Sequence, residues 1–309
     1  MADKRTLKFY QADVFTSHPF SGNPVAVFPD AGGLSDDELQ KIAREMNLSE
    51  TVFVFPPSAP GATVKLRIFT PTKEIPFAGH PVVGAMYVLA YVKSLTIKET
   101  VTCVAYECNI GLFPVELHVR DGQVHQVVMT QPKPQFVGLV ENVEELYQVS
   151  AALGLSKSLI VETKWPVAVV STGLPVLIVP VRTLTAVRSI TANDKAITEL
   201  CERVGTNGVM VFTTMTVQQF ATAHARMFAP CIGISEDPAT GSAGGALGAY
   251  LVQHGVVEVA PTTDMIIEQG YEIERPSHIW VRVQSDDDII QSVKVGGECV
   301  MVAEGELRF

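Results

Sequence analysis

The sequence predicts an α+β protein of two similar domains, each a β-sheet wrapped around one central α-helix, and three observations predict it. The first is a passage that occurs twice. Arg67-Ile68-Phe69-Thr70-Pro71 runs on to Glu74-Ile75-Pro76-Phe77-Ala78-Gly79-His80-Pro81, and Arg226-Met227-Phe228-Ala229-Pro230 runs on to Glu236-Asp237-Pro238-Ala239-Thr240-Gly241-Ser242-Ala243. The second is that the repeat extends upstream. Ser21 to Pro29 has a counterpart in Thr172 to Pro180, and Phe53 stands as far before Arg67 as Phe212 does before Arg226. The third is that Pro81 to Val92 and Ala243 to Val252, which follow the two motif glycines, are apolar almost all the way round. A helix without a polar face must be buried on every side.

Taken in order, the N-terminal residues Met1-Ala2-Asp3-Lys4-Arg5 pass directly into an alternating strand pattern. Ser21-Gly22-Asn23-Pro24 is a turn feeding a second strand. Ser35 and Glu38 form an S-x-x-E capping box, Leu39, Ile42, Ala43 and Met46 recur at helical spacing, and Asn47 supplies a stop. Thr51 to Phe55, like Val209 to Thr213, is a β-branched and aromatic run of strand length. Gln131-Pro132-Lys133-Pro134 is the linker candidate, because two prolines break both a helix and a central strand. Domains over 1–130 and 131–299 follow. Gly84, Gly244, Gly245 and Gly248 cost helix propensity but allow close backbone approach. The run from Gly241 to Gly248 also resembles a nucleotide loop, yet it lacks G-K-[ST] and an acidic residue at the dinucleotide spacing.

Composition narrows the function classes. A chain of 309 residues that is 47% hydrophobic can bury a substantial core. A formal charge of −10, from 33 acidic and 23 basic residues with no Lys/Arg block, argues against nucleic acid or anionic membrane as a partner. The apolar run Pro81 to Val92 is shorter than the roughly 20 residues a membrane helix needs. With no apolar signal region at the N-terminus, a cytoplasmic setting is expected. The 5 cysteines are scattered without C-x-x-C spacing, and the 7 histidines show no H-E-x-x-H, so neither a disulfide framework nor a metal is expected. A small-molecule substrate is the remaining expectation. Each half presents a helix N-terminus, whose unpaired N–H groups bind anions, and two facing one cleft would hold a small carboxylate.

Gly22-Asn23-Pro24-Val25-Ala26-Val27, Asn47-Leu48-Ser49-Glu50-Thr51, Arg67 to Pro71, Gly79-His80-Pro81, Phe228-Ala229-Pro230 and Glu236 to Ala243 together resemble the phenazine-biosynthesis (PhzF-like) isomerase family. Gln269-Gly270 with Arg275-Pro276-Ser277, and the closing Gly296-Gly297 to Leu307 segment, fit the same pattern. The resemblance implies a diaminopimelate epimerase-like fold: two domains, each a mixed sheet (half-barrel) rolled around a central helix, with the site between them and a last strand, 300–309, returning to the first domain. It also implies a cofactor-independent isomerase, commonly a homodimer, that moves a proton between carbons of a cyclic amino or hydroxy acid.

Site residues follow from the same resemblance, each beside a plainer reading. Glu50 lies between a helix and a strand, where a solvated turn carboxylate is the ordinary occupant; the family places its acid/base there. His80 opens the first central helix, where a hydrogen-bonded structural histidine is equally ordinary; the family places it beside the substrate. Asp237 and Ser242 open the second helix, and both residue types are good caps. The resemblance makes Asp237 a partner of His80 or of the substrate, and Ser242 a substrate contact. Gly79 and Gly241 serve wherever a chain turns tightly, and their N–H groups can also approach a carboxylate. Arg67 and Arg226 could clamp a substrate, but each lies on a strand between apolar residues, and a structural ion pair is the expected reading, since a buried arginine is normally paired.

Related racemases use two cysteines at the helix starts, where Ala78 and Thr240 stand here. Cys231 is close in sequence, but one thiol cannot perform two-base inversion. A racemase, epimerase or lyase of the same fold, or a carboxylate-binding protein without turnover, are the alternatives.

Overall fold

The β-branched and aromatic runs of the sequence become strands, and the two all-apolar runs become helices that the strands enclose. The computed structural model describes residues 5–98, 100–287 and 289–309. Met1-Ala2-Asp3-Lys4, read above for the absence of a signal region, lie outside the described residues. The chain divides into two compact units: the first runs to Thr130 and includes Gly296–Phe309, and the second is Gln131–Val295. The boundaries expected from the sequence, 131–299 with 300–309 returned to the first domain, thus differ by four residues at the C-terminal boundary.

In the first unit the order is β1 (Thr6–Val14), β2 (Asn23–Phe28), α1 (Asp36–Met46), β3 (Glu50–Phe55), β4 (Val64–Phe69), β5 (Glu74–Ile75), α2 (His80–Tyr91), β6 (Val101–Cys108), β7 (Gly111–Arg120) and β8 (Gln123–Thr130). The sheet is mixed. Strand β1 is antiparallel to β2, β2 is parallel to β3, and β3 is antiparallel to β4. Strand β4 then pairs antiparallel with β5 and parallel with β6, from which an antiparallel meander runs to β8. The last strand of the chain, Cys299–Arg308, lies antiparallel along all of β1.

The capping box of α1 forms: Ser35 N–H donates to Glu38 Oε2 at 2.7 Å, and Glu38 N–H to Ser35 Oγ at 3.3 Å. Asn47 ends the helix in the left-handed region, with φ 50°. Leu39, Ile42 and Ala43 pack into a cluster with Phe28, Phe53 and Phe69, whose rings stack at 5.1 Å and meet edge-on at 5.5 Å. Helix α2 is buried except at Tyr87 and Tyr91. It sits so close to β1 and β2 that a Cβ on Gly84 would stand 2.4 Å from Val25 Cγ1 and 2.9 Å from Val14 Cγ2.

The second unit repeats this plan. It comprises β9 (Gln135–Val140), α3 (Val143–Ala152), α4 (Ser158–Val161), β10 (Val167–Ser171), β11 (Pro175–Pro180), α5 (Leu184–Arg188), α6 (Asp194–Val204), β12 (Val209–Thr213), β13 (Ala223–Ala229), β14 (Ile234–Asp237), α7 (Gly241–Gln253), β15 (Thr262–Gln269), β16 (Ser277–Asp286) and most of β17 (Ile289–Gly297). Strands β10 to β13 pair as β1 to β4 do, with β11 parallel to β12. Strand β13 likewise pairs antiparallel with β14 and parallel with β15. Asn193 caps α6 through Ala196 N–H at 3.0 Å, in the place Ser35 holds in α1. Helix α7 is buried from Gly241 to Val252. Each unit is thus a mixed sheet around one buried helix. Among the described residues no helix is long and apolar enough to cross a membrane.

Gly84→Ala tests the fit of the central helix. Alanine gains about 1 kcal/mol of helix propensity, whereas overpacking a tight core costs about 1–3 kcal/mol. Because both contacts fall below 3 Å, the cost is expected near the top of that range, and urea unfolding is expected to show a net loss of about 2 kcal/mol; an unchanged midpoint would mean that β2 yields to the added methyl.

Candidate active site

In the first unit the candidate residues meet at the beginnings of β3 and α2. Glu50 opens β3, opposite Val25 of the parallel β2. His80 opens α2, and its Nε2 lies 3.4 Å from Glu50 Oε2. Both residues are buried, 3% exposed for His80 and 7% for Glu50, so the solvated turn carboxylate is not what Glu50 is.

The turn Gly22-Asn23-Pro24 bonds the His80 ring and the residue next to Glu50. Ser49, next to Glu50, donates its hydroxyl to Asn23 Oδ1 at 2.9 Å. The His80 ring is hydrogen-bonded to the Pro24 backbone, and because proline has no N–H the carbonyl must accept. Nε2 makes no hydrogen bond among the described residues, so the donor is Nδ1–H. That assigns the tautomer: Nε2 carries the lone pair, 3.4 Å from Glu50 Oε2. Burial pushes the His80 ring down to about 3, although the Pro24 bond works the other way. The imidazole is therefore neutral at physiological pH. Gly22 is required at this turn, since it has φ +62° and a Cβ there would stand 2.2 Å from the Val14 carbonyl oxygen. In the sequence this turn is a strand lead-in and part of the family resemblance; its part in the site is a long-range one that no local pattern displays.

The second unit builds a related but different arrangement. Val209 opens β12 where Glu50 opens β3, so the carboxylate has no counterpart. Ser242 takes the place of His80, and its carbonyl accepts the Thr172 hydroxyl at 3.1 Å. Asp237 ends β14, and both it and Ser242 are buried. The N-cap residue of α7 is Thr240, which makes no side-chain capping bond; its hydroxyl is donated to Asp237 Oδ2 instead.

Gln269 fixes this loop from below. Its Nε2 donates to the Asp237 carbonyl at 2.6 Å and to Thr240 Oγ1 at 3.1 Å, while its Oε1 accepts Thr240 N–H at 3.2 Å. Ser277 adds a bond to the Pro238 carbonyl at 3.2 Å. The Gln269 and Ser277 signals were present in the sequence as family matches, but their role is visible only in three dimensions.

Gly79 and Gly241 stand at the two helix starts, and both are buried. Gly79 has φ −87°, open to any residue, so a left-handed turn is not its reason for being glycine. Neither N-cap, Gly79 or Thr240, caps its helix with a side chain, which leaves the helix N-termini suited to an anion. Arg67 and Arg226 are engaged within their own units. Arg67 makes a bidentate pair with Glu74 at 2.9 and 2.6 Å, and Arg226 one with Glu236 at 2.8 and 2.8 Å. Among the described residues there is no group of three or more His, Cys, Asp or Glu side chains that could hold a metal ion.

The sequence model described as "Phenazine biosynthesis-like protein" matches residues 12–305. The chain belongs to the PhzC-PhzF family. It is 35% identical to an uncharacterised isomerase of Clostridium acetobutylicum, covering 98% of both chains. It is 34% identical to the trans-2,3-dihydro-3-hydroxyanthranilate isomerase of Pseudomonas aeruginosa, covering 96% of this chain and 98% of that one. A PhzF-family crystal structure from Bacillus anthracis superimposes with a TM-score of 0.87 at 27% identity, over 98% of this chain and 99% of that one. A hydroxyproline epimerase from Agrobacterium vitis shares the fold at a TM-score of 0.70 and 13% identity, over 98% and 91%. This PhzF-family chain is thus an enzyme of an isomerase family with an epimerase-like fold, as its motifs implied.

The buried His80 makes a prediction about pH. An unfolded histidine takes up a proton below about 6.5, whereas the native ring does so only near 3. Between those values the unfolded chain binds more protons, so stability falls as the pH is lowered. Urea midpoints measured from pH 6.5 to 4 are expected to fall more steeply for the native protein than for His80→Asn.

Proposed function

We propose that the protein is a cofactor-independent isomerase that moves a proton between two carbons of a small carboxylate-bearing substrate, a cyclic amino or hydroxy acid, with Glu50 as the general acid/base. The observation that carries this reading is the buried Glu50 carboxyl 3.4 Å from Nε2 of a buried, neutral His80. A neutral imidazole brings no positive charge to the Glu50 carboxyl and can act on it only through the Nε2 lone pair. Once Glu50 has taken the proton, His80 Nε2 can accept a hydrogen bond from the new carboxylic acid and hold its O–H in place. Return of the proton to a second carbon on the same face completes an isomerisation with one base.

One base suits this chain because Val209 stands where a second carboxylate would be, and Ala78 and Thr240 stand where cysteine racemases carry thiols. In this reading Asp237 and Ser242 hold polar groups of the substrate, and the backbone N–H groups at Gly79 and Gly241 receive its carboxylate. The name of the Pseudomonas aeruginosa relative supports the substrate class, since a dihydro-hydroxyanthranilate is a cyclic hydroxy amino acid. Assembly as a homodimer belongs to the same proposal.

The test is solvent exchange. Cyclic amino and hydroxy acids incubated with the enzyme in D₂O are expected to take up deuterium at carbon, followed by NMR. Positioned acid/base groups contribute about 10²–10⁴-fold, so Glu50→Gln is expected to lower exchange by at least about 100-fold, and His80→Asn by less. Exchange that persists in Glu50→Gln would refute the assignment. Tight binding with no exchange in the native protein would favour a binding protein.

A further inference from the structure

The two units also share a device away from the candidate residues. In the first, Glu107 on β6 accepts the backbone N–H groups of Ser58 and Ala59, each at 2.8 Å, and pairs with Lys65 on β4 at 3.1 Å. In the second, Glu268 on β15 accepts the N–H groups of Val217 and Gln218 at 2.5 and 2.9 Å, and pairs with His224 on β13. Lys65 faces Glu107 and His224 faces Glu268 in matching parallel registers. The duplication thus placed a lysine in one copy and a histidine in the other.

The histidine copy has an added partner. His224 Nδ1 is 2.7 Å from Glu268 Oε1, and its Nε2 is 2.9 Å from Glu272 Oε1. Its side chain and that of Glu268 are fully buried. Both ring nitrogens face carboxylates, which accept only, so both must donate and the ring is an imidazolium. The two glutamates bracket Gln269, Gly270 and Tyr271, and Gln269 is the residue that fixes the Asp237–Thr240 loop.

We propose that His224 is a positioning residue for that loop: as an imidazolium it staples Glu268 to Glu272 and so keeps Gln269, between them, seated against Asp237 and Thr240. Any effect on turnover rests on the function proposed above; the staple itself does not. A neutral ring has one N–H and can satisfy only one of the two carboxylates, so loss of the proton releases one end of the segment. The staple is accordingly a pH-dependent element.

The groups around His224 set the direction. Burial alone would lower its affinity for the proton, but the bonds from Glu268 and Glu272 outweigh this and hold it above the ordinary histidine value. The Tyr271 ring lies 5.6 Å from the His224 ring and its hydroxyl bonds to His278 Nε2 at 3.0 Å. Arg188 approaches Glu272 at 3.8 Å, and Arg226 favours the ionised form of Glu272. A raised native value means that the staple is complete below the unfolded value of about 6.5 and is lost as the pH rises through the native one.

Histidine ring titration and amide hydrogen exchange, both by NMR on the full chain, test this without a substrate. His224 is expected to titrate above 6.5. As it does, the amides of Thr240, Ile273 and Arg275, corrected for intrinsic rate, are expected to lose protection at least about tenfold. Those of Ser58 and Ala59, held by the lysine copy, are expected not to change. Glu272→Gln is expected to move the His224 titration down and to produce the loosening at pH 6. Unchanged protection at Thr240, Ile273 and Arg275 across the titration, or a His224 that titrates at or below 6.5, would overturn the proposal. Failure of the deuterium assay at Glu50 would leave these readouts as they are.

Discussion

The interaction on which each unit depends is the bidentate pair between an arginine in mid-strand and the glutamate that begins the path to the central helix. Arg67 and Glu74 make it in the first unit, Arg226 and Glu236 in the second. The pair bridges a strand and the short strand returning beside it, and the next residues are those that start α2 or α7. Arg226 goes further, donating to the Val187 and Ile190 carbonyls at 3.0 and 3.2 Å and tying α5 and the residues after it to the same point. Its guanidinium also lies over the Phe228 ring at 5.0 Å, as that of Arg67 lies over Phe69 at 5.2 Å. Planar, bidentate and aromatic contacts made together fit arginine and not lysine. Arg226 is buried, so removing Glu236 would strand its charge at a cost of about 3–5 kcal/mol, whereas the partly exposed Arg67 and Glu74 would lose less.

With the helix starts fixed in this way, the two units diverge where chemistry is proposed. The first has a carboxyl and a neutral imidazole against each other, with one turn around Gly22 bonding the imidazole and the residue before the carboxyl. The second has a serine and an aspartate on a loop braced by Gln269 and Ser277. The shared frame sets where backbone N–H groups point; the side chains at matching positions decide what each copy can do. Val209 in the place of Glu50 is the clearest case, because it leaves a single carboxyl at the start of these paired strands.

Much of this was legible in the sequence for a physical reason: the signals were local or repeated. The capping box at Ser35 and Glu38, the stop at Asn47 and the two helices without a polar face involve residues a few positions apart. The duplication exposed the paired strands. Burial of Glu50 was not legible, because pattern alone makes a carboxylate between helix and strand a solvated one. Nor was the pairing of Arg67 with Glu74, although both were in the repeat, since a motif does not say which of its members touch. The Pro24 carbonyl that sets the His80 tautomer, and the His224 contacts with Glu268 and Glu272, join residues far apart in the chain. Such contacts follow from strand register, which no short window contains.

The closing strand, Cys299–Arg308, has a consequence for how the molecule is made. Strand β1 is paired along its whole length by the last residues of the chain, so the first unit is discontinuous, whereas Gln131–Val295 is one unbroken segment. A ribosome therefore releases every residue of the second unit before it releases the strand that completes the first. Domains generally fold as units, the N-terminal one first, but here the N-terminal sheet must wait with one side of β1 unpaired. An unpaired strand edge is a template for other chains, and this protein carries one for as long as translation of its second half lasts.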